Sequence, residues 1–221
     1  MRISCLCALL VLLIVGRITN AKNEDPNDPN EVLQAKLGSD IKDPNDLKKL
    51  LQIKWDAIIF VLQNKDIEQN AKAKQVYKIV TPIFDFPLMA KLALGSTNWP
   101  KLTTPQREKY TGLFTERLKS SYWEKIKLYK NEKILFKPAV QNKKSKKTVH
   151  VPIELISKDE KITILYKFHT MDPDVHRGWK IYDVEIQGVS ILLTYRSQFN
   201  DILRSGTVND LLCRLEEPLT R

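Results

Sequence analysis

Ser190 comes nearest to a reactive setting. It stands in YDVEIQGVSILLTYRSQF, residues 182–199, a run that reads as a strand broken at Gly188 and resumed as a helix. Hydrolases of the α/β class hold a serine nucleophile on such a turn. The glycines of G-x-S-x-G let the strained backbone lie close to its neighbours and expose the hydroxyl. Here the stretch is G-V-S-I-L, with Leu192 where the second glycine must be. The same serine at a helix start has a plainer use, as a cap that accepts a hydrogen bond from a backbone N–H of the first turn. Capping is the preferred reading, and no catalytic residue is assigned.

The remaining polar residues do not assemble a centre. His150, His169 and His176 show neither H-E-x-x-H nor H-x-H spacing, and no cysteine pair accompanies them. Asp172 and Asp174 in HTMDPDVH form a D-P-D turn before they form a ligand set. No phosphate loop or dinucleotide fingerprint occurs. No metal and no cofactor are expected, and the chain is read as a binding protein, not an enzyme.

At the N-terminus, MRISCLCALLVLLIVGRITNA has a basic start, an apolar run over residues 6–15 and small or short polar residues up to Ala21. That run is about half of the ~20 residues needed to span a bilayer, so residues 1–21 are expected to be a secretory signal peptide. Cys5 and Cys7 leave with it, and Cys213 remains, expected as a small buried hydrophobe in VNDLLCRL. The signal also takes Arg2 and Arg17 from a net charge of +10, leaving +8. A basic exported protein suits anionic headgroups or acidic partners, and export argues against nucleic acid.

Residues 22–44, with NEDPNDPNEV, are expected to be a flexible leader running into the first helical region, and residues 45–217 a single domain. NDLKKLLQIKWDAIIFVLQNKD reads as an amphipathic helix with Asn45 as its cap. A second helical stretch covers residues 71–80, and FDFPLMAKLALG restarts at Pro87 and stops at Gly95. In LTTPQREKYTGLFTERLKSSYWEKI, Thr104 is the expected cap, Pro105 fits the first turn, and Arg107 at the third position leaves no reciprocal capping box.

From about Ile134 the period changes to two. Val149, Val151, Ile153 and Leu155, then Ile162, Ile164, Tyr166 and Phe168, mark half-buried strands joined by SKDE, and NKKSKK reads as a basic hairpin tip. The phase slips between the pair Trp179 and Ile181 and the pair Val184 and Ile186, which predicts a bulge near Asp183. Two helices close the chain. The order is α+β: a curved antiparallel β-sheet packed against several helices, whose apolar residues either enclose a cavity for an apolar ligand or fill a solid core.

Linked motifs give a resemblance. Residues 84–122 contain A-x-x-x-L-G (Ala90, Leu94, Gly95), Trp99 and the Thr104-Pro105-Gln106 helix start. Residues 179–215 contain Y-D-V-x-x-x-G-V-S and Y-R-x-Q-F. Together they resemble the MlaC family of periplasmic phospholipid-binding proteins, also called the toluene-tolerance auxiliary family. The resemblance implies a periplasmic carrier of phospholipid as cargo, with no other cofactor. Its implied partners are an outer-membrane lipoprotein complex and the inner-membrane MCE-domain protein of an ABC transporter, and its role is to keep the outer membrane asymmetric. Hopanoid or another lipid as cargo, and an exported adaptor that carries nothing, are the alternatives.

Under this reading the acyl chains are expected against apolar faces of the elements above. The helices offer Leu92, Phe114, Leu118, Tyr122, Leu192 and Tyr195. The strands offer Val151, Ile153, Ile164, Tyr166, Ile181 and Val184, with Val189 at the handover from sheet to helix. Arg196, in the Y-R pair, suits either a structural role or a headgroup contact.

Overall fold

The protein is described by a computed structural model over residue 41 and residues 43–129, 131–141, 145–158, 160–171 and 178–217. The expected signal peptide, almost all of the leader, and Asp172, Asp174 and His176 lie outside the described residues.

Helix α1 is Pro44–Gln63, α2 Gln69–Val80, α3 Phe86–Leu94 and α4 Thr104–Ile126. Strands β1 (Lys133–Phe136), β2 (Val140–Gln141), β3 (Thr148–Ile156), β4 (Lys161–His169), β5 (Lys180–Ile186) and β6 (Val189–Ser190) follow, then α5 (Ile191–Ser205) and α6 (Val208–Glu216). The sheet runs β1-β3-β4-β5-β6, with β2 also on β3 and every pairing antiparallel. This is the α+β class expected from the sequence.

Two helix caps differ from expectation, each by a residue or two. For α1 the cap is Asp43, not Asn45. Its Oδ1 accepts from Asn45 N at 2.6 Å, while Asp46 Oδ2 accepts from Asp43 N at 3.1 Å. Pro44 has no N–H to satisfy and suits the first helical position, so the helix begins ahead of Asn45. Asn45 Oδ1 instead accepts from Ala139 N at 3.1 Å. For α4 the cap is Thr103, and the reciprocal box is present after all. Thr103 N donates to Gln106 Oε1 at 2.9 Å and Gln106 N to Thr103 Oγ1 at 3.4 Å. Moving the cap back by one brings Gln106, a box former, into the third position that Arg107 was expected to hold.

The period-two pattern predicts the sheet's inner face correctly. Val149, Val151, Ile153 and Leu155 lie opposite Phe168, Tyr166, Ile164 and Ile162, and all are buried. The bulge is present: Lys167 pairs with Asp183 and Phe168 with Ile181, so Tyr182 is the extra residue. That extra residue lets Ile181 and Val184 both face inward, opposite Phe168 and Tyr166.

Between Ile186 and Val189, Gln187 (φ 51°) and Gly188 (φ 79°) make a two-residue turn in the left-handed region. The direct passage from strand to helix expected at Gly188 is therefore interrupted by the short return strand β6. Gln187 binds this corner to β4, its N–H donating to Thr163 O at 2.8 Å and its Oε1 accepting from Thr163 N at 2.9 Å.

Helix α1 packs on α2 and β3, α3 on α5, α4 and β5, and α5 on β5 and α6. In α6 the buried residues are Leu211, Leu212 and Leu215, while Cys213 is exposed, contrary to the expectation of burial. At about 100° per residue, position 213 points at least that far from each of the three leucines.

Candidate functional site

The inner face of the sheet and the helices over it form one apolar cluster. Val151, Ile153, Ile164, Ile181 and Val184 are fully buried there, with Tyr166 close behind. Tyr166 spans the gap to α1 through a side-chain hydrogen bond with Trp55, and burial pushes its phenol above the ordinary range. From the helices, Phe114, Leu118, Tyr122 and Leu192 are buried, and Leu92 and Tyr195 pack half-buried against them. The aromatic contacts are specific: Phe114 meets Tyr195 edge-on at 5.3 Å, and Tyr195 lies 5.6 Å from Phe199. Ten of the thirteen residues expected against the acyl chains thus belong to the buried cluster, and Leu92 and Tyr195 pack against it.

Val189 is the exception, 61% exposed. Cross-strand partners share a face, and the register makes a row: Ile153 opposite Ile164, Ile164 opposite Ile186, Ile186 opposite Val189. The row runs from the fully buried centre through half-buried Ile186 to the exposed margin at Val189. Val189 marks where the apolar face reaches water instead of a wall inside it, because β6 is the edge strand and among the described residues no further strand covers it.

Ser190 is a cap, as expected. Its Oγ accepts from Leu193 N at 3.1 Å and donates to Asp183 Oδ2 at 2.8 Å. Neither bond goes to an imidazole, the base that a serine nucleophile needs. Asp183 is buried, its Oδ1 accepting from Val184 N at 2.9 Å and from Leu192 N at 3.4 Å. Lys167 Nζ lies 3.2 Å from Asp183 Oδ2 and also contacts Glu185. Burial works against the Lys167 charge, but the two carboxylates outweigh it and hold the amine above its ordinary value. Across the pairing, His150 faces Lys167, and burial first, then that positive charge, holds its imidazole below the ordinary value. The sequence marked the bulge here but not that Asp183 ties sheet to helix.

His169 Nε2 lies 2.9 Å from Asp85 Oδ2, while Asp85 Oδ1 caps α3 by accepting from Leu88 N at 3.0 Å. Arg196 is structural: its Nε donates to Leu92 O at 2.9 Å, at the end of α3. Gly95, at φ 83°, holds a backbone conformation that favours glycine, and a Cβ there would come into ordinary contact with Arg196 Nε at 3.4 Å. Tyr110 OH donates to Ala90 O at 3.1 Å, which ties α4 to α3. These contacts give A-x-x-x-L-G and Y-R a common purpose, the junction of α3, α4 and α5. Among the described residues no helix is long and apolar enough to cross a membrane, and no three His, Cys, Asp or Glu side chains gather as a metal site.

The fold is similar to that of a phospholipid-binding protein from Ralstonia solanacearum, solved in complex with a phospholipid. The TM-score is 0.65 at 22% identity, covering 76% of this chain and 93% of that one. A family profile described as MlaC protein matches residues 53–217, which span the sheet, the aromatic cluster and the α3, α4 and α5 junction, and the chain belongs to the MlaC family.

Proposed function

We propose that this protein is a periplasmic phospholipid carrier. It takes up lipid at one membrane complex and delivers it at another, between an outer-membrane lipoprotein complex and the MCE-domain protein of an inner-membrane ABC transporter, and so maintains outer-membrane asymmetry. Family membership over residues 53–217 carries the reading. The apolar cluster agrees with it, since the row from Ile153 to Val189 offers acyl chains a continuous surface that ends at water. Burying methylenes at ~0.8 kcal/mol each supplies ample affinity without a covalent link. Release then depends on the membrane partners, and the basic chain favours docking on acidic surfaces.

Native mass spectrometry with lipid extraction, on protein purified from a periplasmic fraction without detergent, tests it. Phospholipid in near one-to-one amount is the expected result. A hopanoid or other lipid in its place changes the cargo. An empty protein that also takes up nothing from donor vesicles removes the carrier reading and leaves an exported adaptor with a filled core.

A further inference from the structure

Helix α4 carries a lysine among its buried apolar residues. Lys119 follows Leu118 and precedes Tyr122 by one turn, and its side chain is 1% exposed. The ammonium stands 5.2 Å from the centroid of the Phe86 ring, in the first turn of α3. Its hydrogen-bond acceptor among the described residues is Glu116 Oε1, one turn back and at the long distance of 3.5 Å. An ammonium has three N–H donors, so two of them reach no acceptor among the described residues. Burial pulls the amine below its ordinary value, against the smaller opposing pull of Glu116. A cation enclosed in this way is costly to a fold that could use leucine or methionine instead.

Its depth suggests why it is there. The Glu116 side chain is 41% exposed, so the ammonium, in contact with Glu116 and the Phe86 ring, sits one side chain below the surface on the helix that also carries buried Phe114, Leu118 and Tyr122. An amphiphile held by its chains leaves its phosphate at such a boundary. The ring face of Phe86 holds the cation in place without neutralising it.

We propose that Lys119 is the ion-pairing residue for a lipid phosphate, which takes the two uncommitted N–H donors while the chains lie along the apolar stripe of α4. This rests on the reading of the protein as a lipid carrier. Inorganic phosphate offers the same oxyanion without chains, and the experiment separates the two.

Delipidated wild type, Lys119→Met and Lys119→Arg are titrated with dioctanoyl phosphatidic acid, dioctanoylglycerol and inorganic phosphate, and the lipid-free proteins are melted. Wild type is expected to prefer phosphatidic acid over the diacylglycerol by about tenfold, as a charge-assisted hydrogen bond allows. Lys119→Met is expected to lose that preference, and Lys119→Arg to keep most of it. Lipid-free Lys119→Met is expected to melt higher than wild type, since the buried charge is gone. A preference unchanged in Lys119→Met, or a lower melting point for that variant, overturns the inference while leaving the carrier reading intact. Tight inorganic phosphate binding without lipid preference replaces it with a free-anion site. Wild type that binds neither lipid overturns both the inference and the carrier reading.

Discussion

Ser190 shows how one side chain can be read by what it satisfies. Its hydroxyl is engaged on both sides, by Leu193 N and by Asp183. Ser190→Ala is expected to cost about 1–2 kcal/mol of stability, for the lost cap and the lost partner of a buried carboxylate. Urea unfolding measures the loss, and lipid binding by the folded variant is expected to persist. Loss of an esterase activity in that variant would instead revive the nucleophile. His150 makes a pH prediction. Its folded value lies below the ordinary ~6.5, so its contribution to stability is complete above that value and is lost as pH falls toward the folded one. Between about pH 7.5 and about pH 5, wild type should lose more stability than His150→Gln. Parallel declines would show that burial does not hold this imidazole neutral.

At the scale of elements, the helix ends carry the argument. The reciprocal bonds of Thr103 and Gln106 place the α4 cap, so Thr103→Ala is expected to cost about 1 kcal/mol and Thr104→Ala a few tenths. A reversal of that order in denaturant midpoints would move the cap to Thr104. Gly95 ends α3 at φ 83° with the Arg196 side chain against it. Gly95→Ala is expected to cost about 1–2 kcal/mol through backbone strain. A neutral outcome would mean that the α3 and α5 junction has slack. The bulge at Tyr182 and the turn at Gln187 and Gly188 do related work, steering the strand so that Ser190 meets Asp183.

For the whole molecule, Leu118 and Val189, both expected against the acyl chains, make different tests of lipid carriage. Leu118 is fully buried, so a glutamate there threatens the fold itself. Val189 is exposed at the margin of the apolar row, so Val189→Glu is expected to leave the melting temperature near wild type while slowing lipid uptake from vesicles. Unchanged uptake would place the entrance elsewhere. Cys213 should react with a maleimide in the native state, since α6 turns it to solvent.

The sequence by itself determined the α+β order, the period-two inner face, the bulge and the apolar identity of the cluster. Each of these is a local pattern: alternation, a phase slip, a helical stripe. It also carried the family, through the linked motifs of residues 84–122 and 179–215. Where caps fell a residue or two away, at Asp43 and Thr103, adjacent residues compete for one role and hydrogen-bond geometry chooses between them. The tertiary structure alone decided that Asp183 binds Lys167, Ser190 and the start of α5, that Arg196 caps α3, that Val189 stands at the margin, and that Lys119 is enclosed. Those are contacts between distant segments, and a charged or apolar letter in the chain does not say what will pack over it.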